Sequence, residues 1–159
     1  MSEGNERAIF GAGCFWGVQM AFDKFLDKGI KKTTVGYTGG SVKNPNYEAV
    51  CSKDTGHAEA VEIIYNPEEI SYEKILDIFW KIHNPTEKNR QGHDVGSQYR
   101  STIFYTTEKQ RKIAEKSNKQ EQKKYIKAIV TEIRKSMKFW PAENYHQKYY
   151  KTHAVTCHI

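Results

Sequence analysis

The stretch Ala8-Ile9-Phe10-Gly11-Ala12-Gly13-Cys14-Phe15-Trp16-Gly17-Val18 holds an apolar strand, a glycine turn and the start of a helix. After the turn, Phe15, Val18, Phe22, Phe25 and Leu26 recur at three- and four-residue intervals, which predicts a helix through about Asp27, with Gly29 ending it. Cys14 opens that helix. Unpaired N–H groups of a first turn and the helix dipole favour an anion, so a thiol there is expected to ionise readily and act as a nucleophile. The alternative is a small cysteine packed beneath the turn.

Outward from this unit, Lys32–Tyr37 reads as a strand before the turn Thr38-Gly39-Gly40, and a short helical turn is expected around Tyr47–Cys51. Glu59–Tyr65 alternates like a strand entering a core, and Ser71 caps a helix over Tyr72–His83 with Ile75, Leu76, Phe79 and Trp80 on one side. Asn84–Gln98 has no period, and a long irregular segment in a compact chain is more often functional than idle. Arg100–Tyr105 and Ala128–Ile133 are expected strands. Thr107 with Gln110 forms a capping box for a basic helix reaching about Lys127, and Ala142–Thr152 is expected to be a last helix. The alternation predicts an α+β fold, an α/β sandwich whose mixed or antiparallel sheet is covered by helices. With no repeat or linker, residues 1–159 are expected to form one catalytic domain with a flexible tail from about residue 152 carrying Cys157.

Composition narrows the function classes. Hydrophobic residues make up 38% and aromatics 13% of the 159 residues, too much core material for a disordered chain. No apolar run is long enough for a membrane helix, and residues 1–8 lack a signal-peptide core, so the expected location is cytoplasmic. The formal charge of +6 is concentrated in Glu108–Lys127, where interleaved Glu favours a solvated helix face over a nucleic-acid stripe. Three scattered cysteines, Cys14, Cys51 and Cys157, exclude a disulfide scaffold. No C-x-x-C or H-x-x-x-H pair supports a zinc site or a thioredoxin-like redox pair, so no metal is expected. A cysteine hydrolase with His57 as base stays open on paper, as does a basic RNA-binding module.

Gly13-Cys14-Phe15-Trp16-Gly17 resembles the nucleophile motif of the type A peptide methionine sulfoxide reductases. The likeness continues in order through Gly36-Tyr37-Thr38-Gly39-Gly40, Asn44–Cys51, Thr55–Glu59, Asn89–Asp94 with Gly96, Gln98, Tyr99, Arg100 and Ser101, and Ala142-Glu143 with Tyr145-His146-Gln147. The resemblance implies a ferredoxin-like fold and thiol-dependent reduction of methionine-S-sulfoxide, free or in oxidised proteins, back to methionine. By similarity Cys14 is the nucleophile, Glu59 the acid, Tyr47 and Tyr99 hydroxyl donors to the sulfoxide oxygen, and Asp94 a positioning residue. Phe15 and Trp16 then form the pocket for the S-methyl group.

Cys157 resembles the family's resolving cysteine, with Cys51 as the fallback, although Cys51 reads from its segment more as a packed residue. The resemblance further implies thioredoxin as the external reductant, no bound cofactor, no nucleic-acid or membrane partner, and a role in protein repair under oxidative stress. The sequence departs from the family pattern in lacking the glycine before Cys157, in Asn84 for Asp and in Trp140 for Tyr.

Overall fold

The computed structural model describes residues 4–52 and 55–153. Among the described residues there are eight strands and four α-helices; the strands are β1 (Glu6–Ala12), β2 (Ile30–Thr38), β3 (Ala58–Tyr65), β4 (Arg90–Gln91), β5 (Asp94–Val95), β6 (Ser101–Tyr105), β7 (Glu132–Lys135) and β8 (Trp140–Pro141). The helices are α1 (Phe15–Asp23), α2 (Tyr47–Ser52), α3 (Tyr72–Lys81) and α4 (Glu108–Gln122). Six strands form one sheet in the order β7-β6-β1-β3-β2-β8, antiparallel except for the parallel β6–β7 pair. The sheet is therefore mixed, as expected, and β4–β5 is a separate small hairpin.

β1 is central, and its alternation sorts residues between two faces. Phe10 stacks between Phe22 of α1 and Phe79 of α3, at ring separations of 5.9 and 4.9 Å. Its neighbour Ile9 joins Ala60, Phe104 and Phe139 in a second, smaller buried cluster. Truncating a phenylalanine packed like Phe10 costs about 3–5 kcal/mol, so this contact fixes how both helices sit on the sheet. On the far side of α3, the Trp80 indole donates to Ser117 Oγ of α4 at 2.7 Å. Among the described residues no helix is long and apolar enough to cross a membrane.

Three boundaries differ from the sequence reading by more than two residues. α1 stops at Asp23 rather than Asp27, because Phe25, Leu26 and Lys28 donate to carbonyls three residues back and Gly29 takes φ +109°. α4 stops at Gln122. The Gln122 side chain turns to bond the Lys127 carbonyl and the Ile129 N–H, which draws residues 127–129 away from a helix. The strand expected at Ala128–Ile133 begins instead at Glu132, since Val130 donates to the Pro85 carbonyl.

The last expected helix is absent as such. Residues 142–152 make two single 3₁₀ turns, Asn144–His146 and Tyr149–Lys151. Between them the Gln147 amide pairs with both backbone groups of Val35 on β2, at 3.0 and 2.9 Å. A continuous helix could not lie flat enough on the sheet edge to make that pair.

Candidate active site

Cys14 follows the C-terminal end of β1. Gly13 takes φ +89°, a left-handed turn that favours glycine, and Cys14 becomes the N-cap of α1. Gly11 permits the close strand packing beneath: a Cβ there would meet Thr102 Cγ2 at 2.8 Å and the Arg100 carbonyl at 3.1 Å. The first-turn N–H groups of Trp16 and Gly17 favour the sulfur anion, although the Cys14 side chain makes no cap hydrogen bond. They do not win. Burial first, then the Glu59 carboxylate, push the Cys14 thiol up to about 12 against those N–H groups, with Asp94 adding to the rise. In the free protein, partial burial and the nearby carboxyl groups therefore oppose the ready ionisation expected at this helix position.

Glu59 is the second residue of β3, opposite Tyr37 of β2, and is 1% exposed. Alternation alone allows a solvent-facing side chain here, but packing of α1 over the sheet encloses it. Oε1 accepts the Phe15 backbone N–H at 3.2 Å. Burial raises its pKa to about 8 despite that bond, with Asp94 adding to the rise. Glu59 is therefore protonated at neutral pH and able to donate.

Oε2 of Glu59 faces Cys51, whose thiol donates to it at 3.9 Å. The Tyr47 and Tyr99 hydroxyls lie near enough to the same Cys51 sulfur to favour its anion. Burial, then Glu59, hold both phenols above their ordinary range, so they are donors at any physiological pH. Asp94, on β5, acts electrostatically on Cys14, Glu59 and Tyr99 alike. The structure thus brings Cys14, Glu59, Tyr47, Tyr99 and Asp94 together from five separate segments. It also corrects the reading of Cys51 as a packed residue: Cys51 is exposed on the last turn of α2, with its sulfur at the site. Cys157 lies outside the described residues.

Phe15 is fully buried and contacts the rings of Tyr37, Tyr47 and His146, while Trp16 is half-buried beside it. Trp16 lies against Tyr47 and His146 and stacks on Tyr149 at 4.0 Å. Two residues without an assigned role in the sequence reading support this wall. Glu143 accepts from the Tyr37 hydroxyl at 2.9 Å and from the Tyr47 backbone N–H at 3.2 Å, which anchors the start of α2. The Trp16 indole donates to His146 Nδ1 at 3.0 Å, fixing its neutral tautomer. The signal for both was the Ala142–Gln147 block, whose likeness carried no chemistry by itself.

His57 has both ring nitrogens engaged, Nδ1 accepting from the Gly40 N–H at 3.1 Å and Nε2 donating to the Val42 carbonyl at 2.7 Å. It holds the Gly40–Val42 loop and offers no free base, which removes the geometry a cysteine hydrolase needs. Among the described residues no three His, Cys, Asp or Glu side chains converge as a metal-ligand set.

The sequence profile described as Peptide methionine sulfoxide reductase matches residues 6–159. The chain belongs to this family. It is 53% identical over 152 residues to the peptide methionine sulfoxide reductase MsrA of Methanosarcina acetivorans, covering 94% of this chain and 79% of that protein. Its fold is similar to that of reduced Mxr1 from Saccharomyces cerevisiae, with a TM-score of 0.93 at 33% identity over 99% of this reductase and 91% of Mxr1. Mxr1 in complex with Trx2 matches with a TM-score of 0.68 at 26% identity, over 94% and 87% of the two chains.

Proposed function

We propose that this reductase converts methionine-S-sulfoxide, protein-bound or free, to methionine, with Cys14 as nucleophile and Glu59 as general acid. The observation that carries the assignment is Glu59, buried between the Cys14 helix and two phenols and protonated at neutral pH. Tyr47 and Tyr99 hold the sulfoxide oxygen, and Asp94 positions the polar side of the site. Phe15 and Trp16 take the S-methyl group. Exchanging methyl and oxygen would set a polar atom against those rings and leave the phenols unpaired, which selects one epimer.

Glu59 gives its proton to the sulfoxide oxygen as the Cys14 sulfur attacks. The Cys14 thiol proton passes to the emptied Glu59 carboxylate, the S–O bond transfers its oxygen to Cys14, and methionine leaves. Cys14 is oxidised by two electrons to the sulfenic acid and the substrate sulfur is reduced by two. Cys157 then condenses with the sulfenic acid, forming a disulfide and releasing water, and a thioredoxin dithiol reduces that disulfide. The complex of yeast Mxr1 with Trx2 supports thioredoxin as the partner. An enzyme recycled this way works in a reducing compartment, which supports a cytoplasmic role in repairing oxidised proteins. No bound cofactor is needed.

A second resolver, Cys51, is favoured by the approach of its sulfur to Glu59. The β-α-β-β-α-β order of β1, α1, β2, β3, α3 and β6, with β6-β1-β3-β2 as sheet neighbours, supports reading the core as ferredoxin-like. The match over residues 6–159 supports reading them as one catalytic domain.

The test is a single-turnover assay of reduced protein with each sulfoxide epimer, counting methionine formed and thiols lost. About one methionine from the S epimer with two thiols lost is expected. No methionine from either epimer overturns the reading. Two thiols lost in Cys157→Ser but not in Cys51→Ser reassigns the resolver.

A further inference from the structure

Arg100 follows Tyr99 directly and is 8% exposed, a buried cation with no part in the reaction steps. Among the described residues its guanidinium has three partners on three segments. Nε donates to Glu132 Oε1 of β7 at 2.9 Å, Nη1 to the Ser97 carbonyl at 2.9 Å and Nη2 to the Gly56 carbonyl at 3.0 Å. Ser97 opens the 3₁₀ turn Ser97–Tyr99, and Gly56 lies three residues before Glu59. The two ends of one planar group thus stand on the segments that carry a phenol and the acid.

Glu59 and Tyr99 are held differently. Glu59 is set by its register opposite Tyr37 and by the Phe15 N–H on Oε1. Tyr99 rides on a turn whose backbone bonds are local. The Tyr99 N–H donates to the Gly96 carbonyl at 3.0 Å, the Arg100 N–H to the Ser97 carbonyl at 3.2 Å, and the Gly96 N–H to the Asn89 carbonyl at 2.9 Å. The chain takes up register with β1 only at Ser101, opposite Ala12. These bonds shape the turn and leave its distance from the start of β3 open. The bridge from Ser97 to Gly56 closes that distance with a rigid fork, whose two terminal nitrogens keep a constant separation. Glu132 supplies the counter-charge that an enclosed guanidinium needs. We infer that Arg100 is a positioning residue for the reduction, setting Tyr99 against Glu59 so that one sulfoxide oxygen meets both. This rests on the reading of Tyr99 and Glu59 as donors to that oxygen.

Arg100→Lys keeps a cation for Glu132 but replaces two nitrogens on two carbonyls with one. Single-turnover methionine release from the S epimer is measured for this change in the parent, in Tyr99→Phe and in Tyr47→Phe. In the parent the rate at saturating sulfoxide is expected to fall about five- to tenfold, with the half-saturating concentration within about twofold, because the methyl pocket is untouched. In Tyr99→Phe the same change should cost less than about twofold, since the hydroxyl it misplaces is already gone. In Tyr47→Phe it should cost at least about fivefold. A parental rate in Arg100→Lys overturns the proposal. So does an equal loss with and without the Tyr99 hydroxyl, which would mark a general disturbance. If near-UV circular dichroism shows that Arg100→Lys does not fold, Glu132→Ala decides, because its side chain is 43% exposed and holds only Nε. About a threefold loss in the parent and none in Tyr99→Phe is then expected. No loss, or an equal loss in both, overturns the proposal. Tyr99→Phe at the parental rate by itself shows that the reading of Tyr99 has failed, and the positioning role falls with it.

Discussion

The Phe15 backbone N–H donates to Glu59 Oε1 at 3.2 Å, tying the first turn of the Cys14 helix to a carboxyl 44 positions away. The bond serves either protonation state, because only the other oxygen need carry the proton. Glu59 is thereby oriented before substrate arrives, with Oε2 turned toward Cys51 and the tyrosines.

Glu59→Gln keeps an acceptor for the Phe15 N–H and loses the proton donor. Its single-turnover rate of methionine release is expected to fall at least about 100-fold, with sulfoxide binding largely kept. Rapid-quench measurement at pH 7 checks this, and parental rates would refute the acid assignment.

The same variant is expected to be more stable than the parent in alkali. Glu59 is raised from 4.5 to about 8 by burial, so the native state keeps a proton the unfolded chain loses. Stability is full below the unfolded value and declines as pH rises through about 8, by about 1.4 kcal/mol per unit of difference. Denaturant titrations from pH 5 to 9 should show this decline in the parent and its loss in Glu59→Gln.

In the free enzyme Cys14 is expected to alkylate slowly at pH 7, since burial and then Glu59 push its thiol up to about 12. In a Cys51→Ser/Cys157→Ser background, the iodoacetamide rate should keep rising with pH well past 9. Glu59→Gln removes an opposing charge above pH 8, so its profile shifts to lower pH. A plateau below pH 7 in the parent would contradict the burial argument.

Tyr47→Phe and Tyr99→Phe each remove one hydroxyl donor. About a tenfold loss of single-turnover rate is expected for each, and a larger loss for the pair, because each remaining phenol partly covers for the other. Unchanged rates in the double variant would separate these tyrosines from the sulfoxide oxygen.

His83 is fully enclosed, its ring joined to the Phe79 carbonyl at 2.7 Å and to Ser101 Oγ at 2.6 Å. Burial lowers its pKa from 6.5 to about 4, with the Phe79 bond opposing. The neutral ring thus contributes stability above 6.5 that is lost as pH falls toward 4, about 3 kcal/mol in all. Melting of the parent and of His83→Gln between pH 4 and 7 should show a steeper acid loss of stability in the parent.

Local pattern was enough for β1, the glycine turn, α1 and the Ser71 and Thr107 caps. Ser71 Oγ accepts the Lys74 N–H and Thr107 Oγ1 the Gln110 N–H, each at the expected three-residue spacing. The Gln110 side chain reaches the Thr106 N–H rather than that of Thr107, so the capping box closes one residue early. The C-terminal turns were not legible, since their geometry is dictated by Val35, more than a hundred residues away.

By itself the sequence singled out the candidate residues: a cysteine after a glycine turn, a strand glutamate, two tyrosines and an aspartate in ordered blocks. Types and spacing carry that information because strand, turn and cap preferences are local. Tertiary structure alone decided the protonation states. Packing encloses Glu59 and raises its carboxyl, while partial burial and the carboxyl groups beside the sulfur push the Cys14 thiol up. Desolvation depends on what the rest of the chain places around a group, and no local pattern encodes it.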